Sequence, residues 1–156
     1  MDNKLEYIPG DLVMTNGVPL GTAKDVVYRV TSSDPTKTLK LDDGTVLKGV
    51  VCLENIEGAE FGDKGYLLCD CCAWVKHIVP IPLTLAILEA NGWNHLDNAY
   101  GLYTFEHPDE EWLELILEPY GWKAYCLDIG ISDFFNSVHQ LQHLLFGLGL
   151  DYKIKI

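Results

Sequence analysis

The chain has 156 residues, 48% of them hydrophobic and 11% aromatic, with a formal net charge of −12. That length suits one domain or two small lobes sharing a core, and the apolar content excludes a disordered chain. The charge opposes nucleic-acid binding, which rests on Lys and Arg neutralising phosphates, and no apolar run reaches the roughly 20 residues of a membrane span.

The acidity is uneven. Residues 1–80 carry 12 acids and 8 bases, whereas residues 81–156 carry 11 acids and 3 bases. Between Lys76 and Lys123 there is no Lys or Arg. Such a surface suits a basic protein partner, or solubility alone. The opening Met1-Asp2-Asn3-Lys4-Leu5-Glu6-Tyr7 is charged and lacks a signal peptide's apolar centre, so a cytoplasmic location is expected. The five cysteines, Cys52, Cys69, Cys71, Cys72 and Cys126, are odd in number and crowded, which argues against a disulfide framework.

In chain order, Tyr7 to Met14 reads as a short strand and Asn16-Gly17 as a turn. Asp25 to Thr31 is rich in β-branched residues, and Ser32-Ser33-Asp34-Pro35 is expected to break it. Thr38–Leu41 and Thr45–Lys48 flank Asp42-Asp43-Gly44, a hairpin pattern. Val50–Leu53, Gly65–Cys71 and Ala73–Val79 read as further strands, and so many short strands predict a small SH3-like barrel. After Pro80-Ile81-Pro82, Thr84 can cap a helix to Asn91, with Gly92 placed to end it. A three-stranded meander follows over Tyr100–Glu106, Trp112–Glu118 and Trp122–Asp128. A helix is predicted from Asp133 to Phe146 on the spacing of Val138, Leu141, Leu145 and Leu148, and Tyr152–Ile156 alternates like an edge strand. The expected fold is therefore α+β: a small N-terminal β-barrel lobe over 1–80, packed on a C-terminal lobe over 81–156 of a three-stranded antiparallel meander plus two helices.

Three constellations invite chemistry. His139 and His143 stand four apart on the last helix, the spacing of a zincin pair, but Gln140 replaces the zincin glutamate. A third ligand would have to come from His77, His95 or His107. Cys69-Asp70-Cys71-Cys72 lacks a second knuckle for zinc, and strand alternation turns Cys72 away from the other two, so small core residues are the expected role. Lys24, Arg29, Lys37, Lys40 and Lys48 give the barrel lobe a weaker reading as a nucleic-acid binder. No nucleophile elbow, phosphate loop or dinucleotide fingerprint is present, and no cofactor is expected. The acidic, aromatic second half remains. Along Trp112–Glu118, period two puts Leu113, Leu115 and Leu117 on one face and Trp112, Glu114, Ile116 and Glu118 on the other. With Asp109, Glu110 and Glu111 beside them, these form the candidate protein-binding surface.

Two segments carry a resemblance. Pro80-Ile81-Pro82-Leu83-Thr84, continuing through Ile87-Leu88-Glu89 to Asn91-Gly92-Trp93, is one; Ser137 to Phe146, with Val138-His139-Gln140-Leu141-Gln142, is the other. Together they resemble a family of small proteins encoded in Bacteroides-type gut bacteria, often within prophages and mobile elements, for which no activity is established. Members often carry Pro where this chain has Leu85 and an aromatic where it has Ser137. The resemblance implies a cytosolic accessory protein of bacterial or phage origin and transfers no site residue. The sequence thus favours binding through the acidic aromatic surface over catalysis, with a metal-dependent enzyme using His139 and His143 as the alternative.

Overall fold

A computed structural model describes residues 6–97 and 102–156. The chain divides into two compact units, Met1–Ile81 and Pro82–Ile156. In the first, β1 (Leu12–Thr15), β2 (Tyr28–Lys40), β3 (Val46–Asn55), β4 (Cys71–Trp74) and β5 (Ile78–Val79) form one antiparallel sheet in the order β4-β3-β2-β1-β5. A single 3₁₀ turn, Val75–His77, joins β4 to β5. Two-residue alternation puts Tyr28 and Val30 of β2, and Val51 and Leu53 of β3, on one face, where they are buried with Val13 and Ala73.

The second unit holds α1 (Leu85–Ala90), β6 (Asn94–Leu96), β7 (Tyr103–Glu106), β8 (Leu113–Glu118), β9 (Gly121–Cys126), β10 (Ile129–Gly130) and α2 (Val138–Gly147). Its sheet is antiparallel in the order β10-β9-β8-β7-β6. Phe105, Leu113, Leu115, Trp122 and Ala124 are buried, as is the stripe Val138, Leu141 and Leu145 of α2. Both helices end in the same device. In α1 the Trp93 N–H bonds to the Leu88 carbonyl and the Gly92 N–H to that of Glu89, with Gly92 at φ +82°. In α2 Leu150 and Gly149 repeat these two bonds to Leu145 and Phe146.

The α+β expectation of a barrel lobe and a two-helix lobe is corrected. The molecule is predominantly β, with two open five-stranded sheets and no closed barrel among the described residues, because β4 and β5 stand at opposite edges of the first sheet. The strand expected over Gly65–Cys71 does not form. Gly58, Gly62 and Gly65 all hold positive φ, which a strand excludes, so residues 56–70 run as successive turns. The break expected at Ser32–Pro35 does not occur either. β2 runs through it, and register shifts at Val30/Ser32 and Asp34/Thr38 absorb Pro35, which has no N–H to give the ladder. Among its described residues the second lobe carries five strands, not three, since β6 and β10 extend the meander. Its helical content is small: α1 has six residues, and α2 starts five residues later than expected because Ser137 and Gln140 form a capping box. Residues 152–156 form no strand; instead the Asn91 side chain receives the Lys155 N–H and donates to the Lys155 carbonyl, both at 2.8 Å. Tyr100, at the start of the expected meander, lies outside the described residues.

Candidate functional site

The acidic surface is built by the alternation of β8 and the register of its neighbours. Leu113 and Leu115 point to the buried face, which leaves Glu114, Ile116 and Glu118 half-buried on the other. Pairing with β7 sets Glu106 directly opposite Glu114, and pairing with β9 sets Tyr125 opposite Glu114 and Lys123 opposite Ile116. The β9–β10 hairpin turns on Leu127 and Asp128, both at positive φ (47° and 71°), and Asp128 acts electrostatically on Glu114. Partial desolvation, and then the charges of Asp128 and Glu106, hold the Glu114 carboxyl above the ordinary glutamate range. Directly opposed like charges on adjacent strands destabilise a sheet, so Glu106 and Glu114 are a cost that the fold carries here. From its place opposite Glu114, the Tyr125 hydroxyl reaches along the face to donate to the Glu118 carboxylate, and this bond raises the tyrosine pKa.

The loop between β7 and β8 is set by a residue that the sequence reading offered only as a metal ligand. His107 is buried, and its Nδ1 accepts the N–H groups of Asp109 and Glu110, each at 3.1 Å. Its ring meets Trp93 edge-on at 5.0 Å between centroids. Desolvation lowers its pKa against the opposing pull of Asp109 and Glu110, so the ring is a neutral acceptor that orders an acidic turn. Asp109 and Glu111 are exposed there, Glu110 is half-buried, and the Trp112 indole donates to Glu110 at 2.7 Å. Trp112, Glu114, Ile116 and Glu118 are thus neither core nor open surface but half-covered. Glu106 and Asp128 join them through strand register and a tight turn, neither of which leaves a sequence signal by itself.

His139 and His143 do stand on one side of α2, with ring centroids 5.6 Å apart. His139 is only 5% exposed and its Nδ1 lies 3.1 Å from the Ser137 Oγ. The proposed third ligands are engaged elsewhere. His77 meets the Asn16 amide at 3.0 Å in the first unit, His95 stacks on Phe105, and His107 holds its turn. Among the described residues no group of three or more His, Cys, Asp or Glu side chains is arranged to hold a metal ion.

The basic residues of the first unit divide between an ion-paired position and an exposed ribbon. Arg29 faces Glu54 at 3.6 Å and Glu57 at 3.5 Å. Lys37, Lys40 and Lys48 are exposed along the β2–β3 ribbon, which also carries the exposed Asp42 and Asp43. Alternation turns Cys72 away from Cys71 as expected, but Cys69 and Cys72 are exposed and not the core residues expected. Register places Cys52 of β3 directly opposite Cys72 of β4, with sulfurs 2.9 Å apart, while Cys71 points to the other face and donates to the Leu20 carbonyl at 3.3 Å. Beside them lies a cavity of about 480 Å³, lined by Leu20, Leu67, Leu68, Cys69, Cys71 and Cys72 among others. Among the described residues no helix is long and apolar enough to cross a membrane.

No family model, curated protein or solved structure matches this chain.

Proposed function

We propose that this protein is a binding or accessory protein, not an enzyme, and that it engages a basic protein partner through the outer face of its second sheet. The observation that supports this most is the Glu106–Glu114 pair. Two carboxylates are opposed across adjacent strands, Asp128 adds a third charge, and Glu114 is held above its ordinary pKa. A Lys or Arg side chain brought between them would relieve repulsion that the free protein carries, and partial desolvation would strengthen the attraction. Ile116 and Trp112, half-buried beside these acids, supply the apolar contact that charged rims lack. Glu118, Asp109, Glu110 and Glu111 extend the same sign outward, which speeds encounter with a basic surface.

The test is retention of partners from a bacterial lysate at moderate and high salt, comparing the parent with Glu106→Gln/Glu114→Gln. The expected result is a basic protein retained by the parent, weakened by salt, and lost from the double variant. Retention of nothing at either salt level would overturn the proposal, as would equal retention by the double variant.

A further inference from the structure

We infer that Cys52 and Cys72 are a reactive dithiol that closes reversibly into a cross-strand disulfide. The inference starts from register. β4 pairs antiparallel with β3 through Val50↔Trp74, Val51↔Ala73, Cys52↔Cys72 and Leu53↔Cys71. Side chains of directly opposed residues share a face, with Cβ atoms roughly 4.5–5.5 Å apart, and the lower end of that range meets the roughly 3.5–4.5 Å that a disulfide spans. Here the sulfurs have already approached to 2.9 Å, inside the ordinary contact of two sulfur atoms. Only a small adjustment of the two side chains separates them from a bond. Pairing by sequence proximity is what the fold avoids. Cys71 lies opposite Leu53 on the buried face, packs against the core of the unit, and donates to the Leu20 carbonyl.

Access favours reaction at this pair. β4 is an edge strand, Cys72 is exposed and Cys52 half-exposed. The Cys72 thiol is pushed up to about 11, first by its hydrogen bond with Cys52, then by desolvation and by negative charge at Cys52 and Cys71, with Lys37 pulling the other way. A thiol raised in this way is less often the thiolate that attacks, so reaction at Cys72 quickens as pH rises.

The oxidant is a low-molecular-weight disulfide. One protein thiolate attacks a sulfur of RSSR, a protein–SR bond forms, and RS⁻ leaves to take up a proton. The second protein sulfur, losing its proton, then attacks the protein sulfur of the mixed disulfide and expels a second RSH. The protein loses two electrons and two protons, and one RSSR becomes two RSH. Because the second thiol is held in contact, the second step is intramolecular and the mixed disulfide does not accumulate. A dithiol reductant reverses the sequence.

The experiment uses the full chain, reduced and then incubated with glutathione disulfide across pH 7 to 9, with intact mass and peptide mapping as readouts. The parent is expected to lose two hydrogens with no lasting adduct on Cys52 or Cys72, to give a linked pair of peptides containing the two, and to react faster as pH rises. Cys52→Ser and Cys72→Ser should each instead keep one glutathione adduct on the remaining member. A stable adduct on Cys52 or Cys72 of the parent would overturn the inference, as would a bond mapped to Cys69 or Cys71, or resolution that survives either substitution. Circular dichroism of the variants separates a failure to fold from a failure to react, and Cys52→Ala/Cys72→Ala gives the reference for reaction at the other cysteines.

Discussion

Replacing Gly65 by alanine tests whether one hydroxyl group organises the long irregular segment between β3 and β4. Gly65 sits at φ +74°, and a Cβ there would fall well inside contact distance of the Tyr28 hydroxyl oxygen, with Val26 Cγ2 at 3.1 Å and Ala23 Cβ at 3.3 Å. Tyr28 is fully buried, and its hydroxyl accepts the Ala23 N–H at 3.1 Å and donates to the Gly65 carbonyl at 2.8 Å. Tyr28→Phe removes both bonds and leaves two half-buried backbone groups without them, a loss of about 2 kcal/mol. Gly65→Ala incurs the left-handed penalty of roughly 1–2 kcal/mol and also displaces the hydroxyl, so its total is about 3–4 kcal/mol. In the double variant the hydroxyl is already gone, and the second substitution adds only the backbone penalty. The two changes should therefore fall short of additivity by about 2 kcal/mol. Native-state hydrogen exchange of the β2–β3 ladder amides around Val51 reads the stability of this unit directly. Additivity within about 0.5 kcal/mol would refute the reasoning, because it would mean that the new methyl group and the hydroxyl do not compete for the same space.

Three further outcomes follow from the site. Glu114→Gln removes one of two opposed charges and should stabilise the protein by about 0.5 kcal/mol at pH 7. Because the folded carboxyl is raised above the ordinary 4.5, the penalty that this variant removes is fully present at neutral pH. It vanishes as pH falls through the raised value and past 4.5, where urea midpoints of parent and variant should converge. For His107 the folded pKa lies below the ordinary 6.5, so its contribution is fully present above 6.5 and is lost as pH drops from there toward the depressed folded value. His107→Gln, which keeps an acceptor, should flatten that limb of the thermal-stability profile. Closing Cys52 to Cys72 ties residues 20 apart in sequence, and the loop-entropy relation gives the oxidised protein about 3 kcal/mol over the reduced one, measurable as a shift of the urea midpoint.

Much of the local structure was legible because local chemistry decides it. The Asp42-Asp43-Gly44 turn is made as read, with Gly44 at φ +89° and Asp43 accepting the Thr45 N–H, and so is the Thr84 cap of α1. The inward leucines of β8 also follow from period two alone. What misled was punctuation that tertiary pairing overrides. Pro35 reads as a break, yet ten residues of β3 hold β2 together across it through a bulge. Gly65-Tyr66-Leu67-Leu68-Cys69 reads as a strand, yet the Tyr28 hydroxyl and the Asn55 side chain, which bonds the Leu67 N–H and carbonyl, fix that segment as a turn. The candidate site divides in the same way. Glu114, Ile116 and Glu118 share a face by strand periodicity, which a sequence displays. Glu106 and Asp128 reach them through register and a tight hairpin, and Cys52 reaches Cys72 across nineteen intervening residues, none of which has a local signature.

The bulged ribbon of β2 and β3 also has a practical use. Beyond Pro35 its residues are mostly exposed, and at the tip a side chain added to Gly44 would meet nothing within 4 Å. Chain can be added there without disturbing a packed contact, because tips of this kind are where inserted sequence is tolerated. An epitope or a dye-labelling peptide spliced between Asp43 and Gly44 would project from the far end of the arm. It would give the thiol chemistry a handle at the far end of the ribbon from the cysteine pair.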